Sequence, residues 1–214
     1  MSVSGKILGK DIELSYAKEA MKKAVTAIDN DSFTTIEILS SNMIVKCQNN
    51  EKWIDDLKKS DAIVPFDIEV LNICSIDDRR MAKDISLDIF VKMITRYMKK
   101  NNNSIFVIAS LEENLNKVIC KLEERLVNVS ITGMALSQLT GRSEIEVINA
   151  INDVDPDFIF SVLPSPKQEE FIKNNRSFFN ARVWLGGGDL LSRVIDKSKK
   201  RKLVNFLQKK LLTL

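Results

Sequence analysis

Apolar positions along this chain alternate between two patterns, runs spaced every third or fourth residue and short runs that are continuous. Residues 13–28 carry Leu14, Ala17, Met21, Val25 and Ile28 at helical spacing and stop at Asp29-Asn30-Asp31. Helical spacing returns over 43–57 through Ile44, Cys47, Trp53, Ile54 and Leu57, and over 84–98 through Ile85, Ile89, Met93 and Tyr97. Further helices are predicted over 112–126, 143–152 and 168–174, with Ser143 and Glu146 placed as a capping box. Strands are predicted at Thr34–Leu39, at Ala62–Pro65, at Ile105–Ala109, and over 127–132, 157–162 and 181–185. Ile105-Phe-Val-Ile-Ala109 is apolar throughout, as in strands buried on both faces of a parallel sheet. Strand and helix alternate about six times, which predicts one α/β domain on a mostly parallel sheet over 1–190 and a separate tail over 191–214. No internal repeat, low-complexity segment or linker interrupts the first of these.

In such sheets ligands bind beyond the carboxyl ends of the strands. The turns there are the places to look for chemistry. After the strand at 157–162 comes Leu163-Pro164-Ser165-Pro166, with Lys167, Gln168 and Glu169 in the first turn of the next helix. Helix N-termini favour anions, so this Lys and Gln suit a diphosphate or a sugar hydroxyl; a proline-stopped loop with a solvated first turn accounts for them as well. Gly186-Gly187-Gly188 ends the last strand and permits close approach of a ligand, or simply a turn. It lacks the G-x-G-x-x-G spacing and follows the last strand instead of the first, which disfavours a dinucleotide site. Asp67 lies two residues beyond Ala62–Pro65, where a carboxylate can act as general base or cap a helix. Ser40-Ser41-Asn42 ends another strand and suits either a cap or the ligand edge. Arg79-Arg80 precedes the helix over 84–98 and fits a phosphate or an ion pair with Asp77 or Asp78.

Composition narrows the chemistry. A chain of 214 residues and 24.3 kDa is large enough for one α/β domain with a small appendage. It contains no histidine, which excludes Ser-His-Asp and Cys-His catalysis and argues against a zinc site; no metal is expected. Its three cysteines, Cys47, Cys74 and Cys120, are widely spaced beside apolar runs, as expected of buried free thiols in a reducing cytoplasm. No run of about 18 apolar residues suggests a membrane span, and the N-terminus lacks the apolar stretch of a signal peptide.

The net charge of +3 is uneven: residues 192–214 hold eight Lys or Arg and one acid, so the remainder is net acidic. Within the tail, Leu203, Leu207 and Leu211 with Phe206 form an apolar stripe beside Lys199, Lys200, Arg201, Lys202, Lys209 and Lys210. A basic amphipathic helix of this kind suits an anionic membrane surface. The alternative is that its leucines pack on the same domain or a second subunit, which leaves a homo-oligomer open. A nucleic-acid partner is not expected, because no basic, aromatic-studded surface appears elsewhere.

Taken in this order, the pieces resemble the WecG/TagA/CpsF family of glycosyltransferases from about Ser40 to Asp189. The resemblance is strongest at Pro166-Lys167-Gln168-Glu169 with Phe171, followed by a strand ending in glycines. It extends to Ser40-Ser41-Asn42, similar to the family's Thr/Ser-x-Asn turn, and to Arg80 before a long helix. The resemblance implies a Rossmann-like three-layer sandwich with a short basic C-terminal helical appendage. It implies transfer of N-acetylmannosamine or a related N-acetylhexosamine from a UDP-sugar, with inversion, to a sugar on a polyprenyl diphosphate. Such an enzyme builds cell-surface polysaccharide or teichoic acid at the cytoplasmic face of the membrane, as a peripheral protein, with no cofactor besides its UDP-sugar co-substrate. Asp67 would be the base, and Arg80 and Gln168 would hold the diphosphate. Several positions depart from the family pattern: Pro65-Phe66-Asp67 stands for Pro-Asp-Gly, Ala109-Ser110 for Gly-Gly, Thr132-Gly-Met-Ala-Leu136 for a histidine-containing loop, and Lys83 for a glycine. A second reading therefore stays open, that of a catalytically inactive relative acting as a binding or regulatory partner.

Overall fold

The computed structural model describes residues 2–138 and 144–188. The chain begins with an antiparallel hairpin, β1 (Ser2–Ile7) and β2 (Lys10–Ser15), turned through Leu8 and Gly9, both at positive φ. That is the backbone a two-residue hairpin loop requires. There follow α1 (Ala17–Asp29), β3 (Thr34–Leu39), α2 (Ser41–Cys47), α3 (Glu51–Leu57), β4 (Ala62–Pro65), α4 (Ile68–Ile73), α5 (Arg79–Ser86) and α6 (Ile89–Asn101). Then come β5 (Ile105–Ala109), α7 (Glu112–Arg125), β6 (Ile131–Ala135), α8 (Glu144–Val154), β7 (Phe158–Ser161), α9 (Lys167–Asn175) and β8 (Val183–Gly186). Strands β3 to β8 form one sheet in the order β4-β3-β8-β7-β5-β6, every neighbouring pair parallel.

Successive residues of a strand point to opposite faces, and the core divides accordingly. Val107, Phe158, Phe160, Val183 and Leu185 join a cluster with Ala20 and Ala24 of α1, Ile94 and Met98 of α6, and Leu115 and Leu122 of α7. Phe106, Ile108, Ile159 and Trp184 point the other way, to Val147 and Ile151 of α8 and Phe171 and Ile172 of α9. Helices thus cover both faces, and the expected Rossmann-like α/β sandwich is what the chain forms. All five residues of β5 are buried, in keeping with its apolar run. β7 leads to β8 on one side while β5 leads to β6 on the other, so the strand order reverses between them. In open parallel sheets of this kind ligands bind in the crevice beyond the carboxyl ends of the strands.

Several element boundaries differ from the sequence pattern, each for a local reason. Residues 13–15 belong to β2, where Ile12 and Leu14 are buried and Asp11 and Glu13 exposed at period two; the helix begins only after Tyr16. The helix expected over 43–57 breaks at Gln48-Asn49-Asn50, because the Asn50 side chain caps α3 by accepting from the Trp53 N–H at 3.2 Å. The helix expected over 84–98 breaks at Asp88, which is left-handed at φ 51°, a conformation Asp tolerates better than most residues. The short helices α4 and α5 lacked a visible apolar stripe and are instead capped by Asp67 and Asp78. The strand expected over 127–132 begins only at Ile131, since Asn128 turns the chain at φ 70° and the strand is a half-exposed edge with little apolar signal. Cys47 and Cys74 are buried as expected, but Cys120 is exposed on α7, its flanking apolar residues pointing inward without it. The Ser143 cap and the tail, with Lys199, Lys200, Arg201, Lys202, Lys209 and Lys210, lie outside the described residues. No helix among the described residues is long and apolar enough to cross a membrane.

Candidate active site

At the carboxyl edge of the sheet, β3 supplies the central anchor. Its Glu37 interrupts the apolar run Ile36–Leu39 and points to the α8–α9 face, opposite to Ile36 and Ile38. It is 0% exposed and lies in register with Gly186 of β8. Its carboxylate accepts from the Trp184 Nε1–H at 2.9 Å and from Gln168 Nε2–H at 2.6 Å. The other end of the Gln168 amide accepts from the backbone N–H of Gly188 at 2.9 Å. A Cβ on Gly186 would fall 2.0 Å from a Glu37 oxygen, so the first glycine of the run exists to admit that carboxylate. Gly187 donates to the Ser161 carbonyl at 3.4 Å, and Gly188 needs its freedom for φ 48°.

The adjoining box residue is also internal. Glu169, 1% exposed, accepts from Ser165 Oγ at 2.6 Å across the turn that holds the cis Ser165-Pro166 bond. Among the described residues its second oxygen has no hydrogen-bond partner, although the buried indole N–H of Trp53 acts on it as a favourable dipole. Burial raises the Glu37 pKa well above the usual carboxyl value, and repulsion from Glu169 adds to this, against the pull of the Trp184 and Gln168 donors. Burial likewise raises the pKa of Glu169, opposed by Ser165 and Trp53.

One strand further out, the turns after β3 and β4 meet. Leu39 pairs with Pro65, and Phe66 N–H donates to the Leu39 carbonyl at 2.8 Å. Asp67 caps α4, accepting from the Val70 N–H at 3.2 Å, while its other oxygen accepts from the Ser41 N–H at 3.1 Å. Ser40 is buried and caps α2 through the Met43 N–H at 3.1 Å; Ser41 is half-buried and Asn42 exposed. Burial pushes the pKa of the half-buried Asp67 up, partly offset by these donors from Ser41 and Val70.

Arg80 sits in the first turn of α5, where sequence reading placed a loop, and stacks over the Tyr16 ring at 4.3 Å. Tyr16 in turn donates its hydroxyl to Asp78 at 2.7 Å. Met81 and Asp84 of the same helix line a mostly apolar cleft with Pro65, Phe66 and Ser15, so α5 borders the turn that carries Asp67. Lys167 is exposed at the start of α9. The structure therefore brings Ser41 to Asp67, and Gln168 to Gly188, while Ser40 caps α2 and Gln168 and Glu169 face inward. Glu37, Trp184 and Tyr16 escaped sequence reading. The lone acid inside Thr-Thr-Ile-Glu-Ile-Leu was the available signal for Glu37.

The model of the glycosyl transferase WecG/TagA/CpsF family matches residues 5–201. The chain belongs to that family. Among curated relatives, it is 25% identical over 162 residues to an N-acetylglucosaminyldiphosphoundecaprenol N-acetyl-beta-D-mannosaminyltransferase of Bacillus subtilis (strain 168). That match covers 75% of this chain and 62% of the relative, so the chain spans less than two thirds of that protein's length. A protein of the same description from Staphylococcus aureus (strain NCTC 8325 / PS 47) is 22% identical over 200 residues, covering 91% of this chain and 76% of the relative. In this glycosyltransferase family member the Pro166-Lys167-Gln168-Glu169 box is thus an internal brace through Gln168 and Glu169, and Asp67 is a half-buried carboxylate at the same edge of the sheet.

Proposed function

We propose that this family member moves an N-acetylhexosamine of the N-acetylmannosamine type from a UDP-sugar to a sugar carried on a polyprenyl diphosphate. The product would feed cell-surface polysaccharide or teichoic-acid synthesis. The observation that carries this is Asp67, a half-buried carboxylate at the carboxyl edge whose pKa burial raises, anchored between the turns after β3 and β4. The names of the relatives support the acceptor class. Asp67 takes the proton of the acceptor hydroxyl as that oxygen attacks the anomeric carbon. The bond from that carbon to the phosphate oxygen breaks on the opposite face, its electron pair leaves with UDP, and the configuration inverts. The Asp67 carboxylate accepts the backbone N–H groups of Ser41 and Val70 and a hydrogen bond from the Ser41 side chain, three of its roughly four acceptor positions, which leaves one for this role. The exposed cations Arg80 and Lys167 are the side chains for the leaving diphosphate. No metal or other cofactor enters the scheme. The basic tail, with Lys199 to Lys202, would hold the protein to anionic lipid at the inner face of the membrane, beside its acceptor.

Two observations favour the second reading, an inactive relative that binds a partner: Asp67 already serves as a helix cap, and Gln168 is sealed from solvent. The two readings part in one experiment. Thermal unfolding is followed with UDP and a panel of UDP-N-acetylhexosamines, with and without EDTA, and transfer is assayed for the wild type and Asp67→Asn. A ligand at about 100 times its Kd adds about 2.7 kcal/mol, or about 5–10 °C in Tm. The transferase reading expects that shift irrespective of EDTA, and a loss of about 100-fold or more in turnover for Asp67→Asn with the UDP shift retained. Absence of any shift at millimolar nucleotide would overturn it.

A further inference from the structure

The hydrogen-bond polarity around Glu37 is determined from one end. The Gly188 N–H can only donate, so Gln168 must turn its Oε1 toward it and its Nε2 toward Glu37. Trp184 Nε1–H can also only donate. Glu37 therefore faces one obligate donor on each oxygen, in a site with 0% exposure where water cannot substitute. A carboxylate accepts at both oxygens. A glutamine there would present an NH2 group to one donor and break either the Trp184 or the Gln168 bond. The absent Cβ of Gly186 makes room for this side chain, and a Cβ at Gly188 would lie 3.1 Å from the Leu163 carbonyl. Three edge segments, the β8 turn, the start of α9 and β3, thus close on one buried side chain.

We propose that Glu37 is a positioning residue for the ligand edge: through Gln168 it sets the place of the Gly186-Gly187-Gly188 turn, and the Gln168 amide acts inside the protein and not on the ligand. Its effect on nucleotide binding rests on the reading of this edge as a UDP-sugar site. The polarity argument supplies a direct test by exchange of partners. Glu37→Gln sets two donors against each other; Gln168→Glu sets two carboxylates against each other. The double variant E37Q/Q168E restores all three bonds with polarity reversed: residue 37 accepts from Trp184 and donates to residue 168, which accepts from Gly188.

Two quantities are measured on the full chain, amide hydrogen exchange at Gly188 and the Kd for UDP by calorimetry. Each single variant is expected to speed Gly188 exchange and raise Kd about tenfold, and the double variant to return both to within about threefold of wild type. Should Gln168→Glu not fold alone, Glu37→Gln and the double variant carry the comparison. Unchanged Gly188 exchange in Glu37→Gln, or no recovery in the double variant, overturns the tie. Recovered exchange with UDP affinity still poor assigns Gln168 a direct ligand contact and overturns the positioning role. A wild type that binds no UDP refutes the donor-site reading, while the exchange pattern alone still decides the Glu37–Gln168–Gly188 tie.

Discussion

Gly186→Ala is the substitution whose cost the structure specifies most closely. The new Cβ would lie 2.0 Å from one Glu37 oxygen and 2.3 Å from its carboxyl carbon and other oxygen, where about 3.4 Å is ordinary contact. The carboxylate must retreat by more than an ångström. It has no free direction, being fully buried, paired in register with Gly186 and held at 2.6 and 2.9 Å by Gln168 and Trp184. Overpacking of this kind costs about 1–3 kcal/mol. Losing one of the two bonds leaves a buried donor unsatisfied, about 1–3 kcal/mol more. The entropy advantage of Ala over Gly in the unfolded chain returns at most about 1 kcal/mol. The net loss is about 3 kcal/mol, which for a chain of this length lowers Tm by about 6–12 °C. Urea and thermal unfolding by circular dichroism measure it. The same substitution in a Glu37→Ala background should cost less than about 1 kcal/mol, since the colliding group is gone. A cost below about 1 kcal/mol in the wild-type background, or equal costs in both backgrounds, would refute the reasoning.

Two further outcomes follow from the electrostatics. Burial raises the pKa of Glu37 and of Glu169, so their contribution to stability is complete below the unfolded value of about 4.5 and is lost as pH rises through the raised values, above which Glu37 is the carboxylate that the Trp184 and Gln168 donors meet. Unfolding free energy should fall as pH rises above about 4.5, by at most about 1.4 kcal/mol per pH unit for each of the two groups, and Glu37→Gln should flatten the fall. Asp56 and Asp78, whose pKa values are lowered, oppose this only below about pH 4; a flat wild-type profile between about pH 5 and 7 would contradict the assignment. Burial pushes the Cys47 and Cys74 thiols up to about 11, whereas Cys120 is exposed, so a thiol reagent at neutral pH should label one cysteine quickly and the other two only on unfolding. Rapid native labelling of Cys47 or Cys74 would show that the region around it opens.

The periodicity of apolar residues determined the class of this fold. Ile105-Phe-Val-Ile-Ala109 could satisfy an all-apolar run only with both faces covered, and the helical stripes at Ala17, Met21 and Ala24 or Leu115 and Leu122 supplied the cover. Caps were legible too, because Ser40 and Asp67 act on backbone three residues away, within reach of local pattern. The turn at Pro164 to Glu169 was legible for the same reason, and it lies between β7 and α9 at the carboxyl edge of the sheet.

What sequence could not decide was direction and partnership. Gln168 stands in the first turn of a helix, where solvent contact is the default, yet α9 packs so that its amide meets Glu37, 131 residues away in the chain. Gly186 looks like turn glycine, but its need comes from a carboxylate on another strand, brought into register by a crossover. Asp88 and Asn50, single residues at helix breaks, outweighed apolar stripes that run on past them. Local pattern records what a residue does to its own backbone and which face it shares. The strand order β4-β3-β8-β7-β5-β6 alone decides which distant side chains meet, since pairing between strands far apart in sequence leaves no periodic trace along the chain.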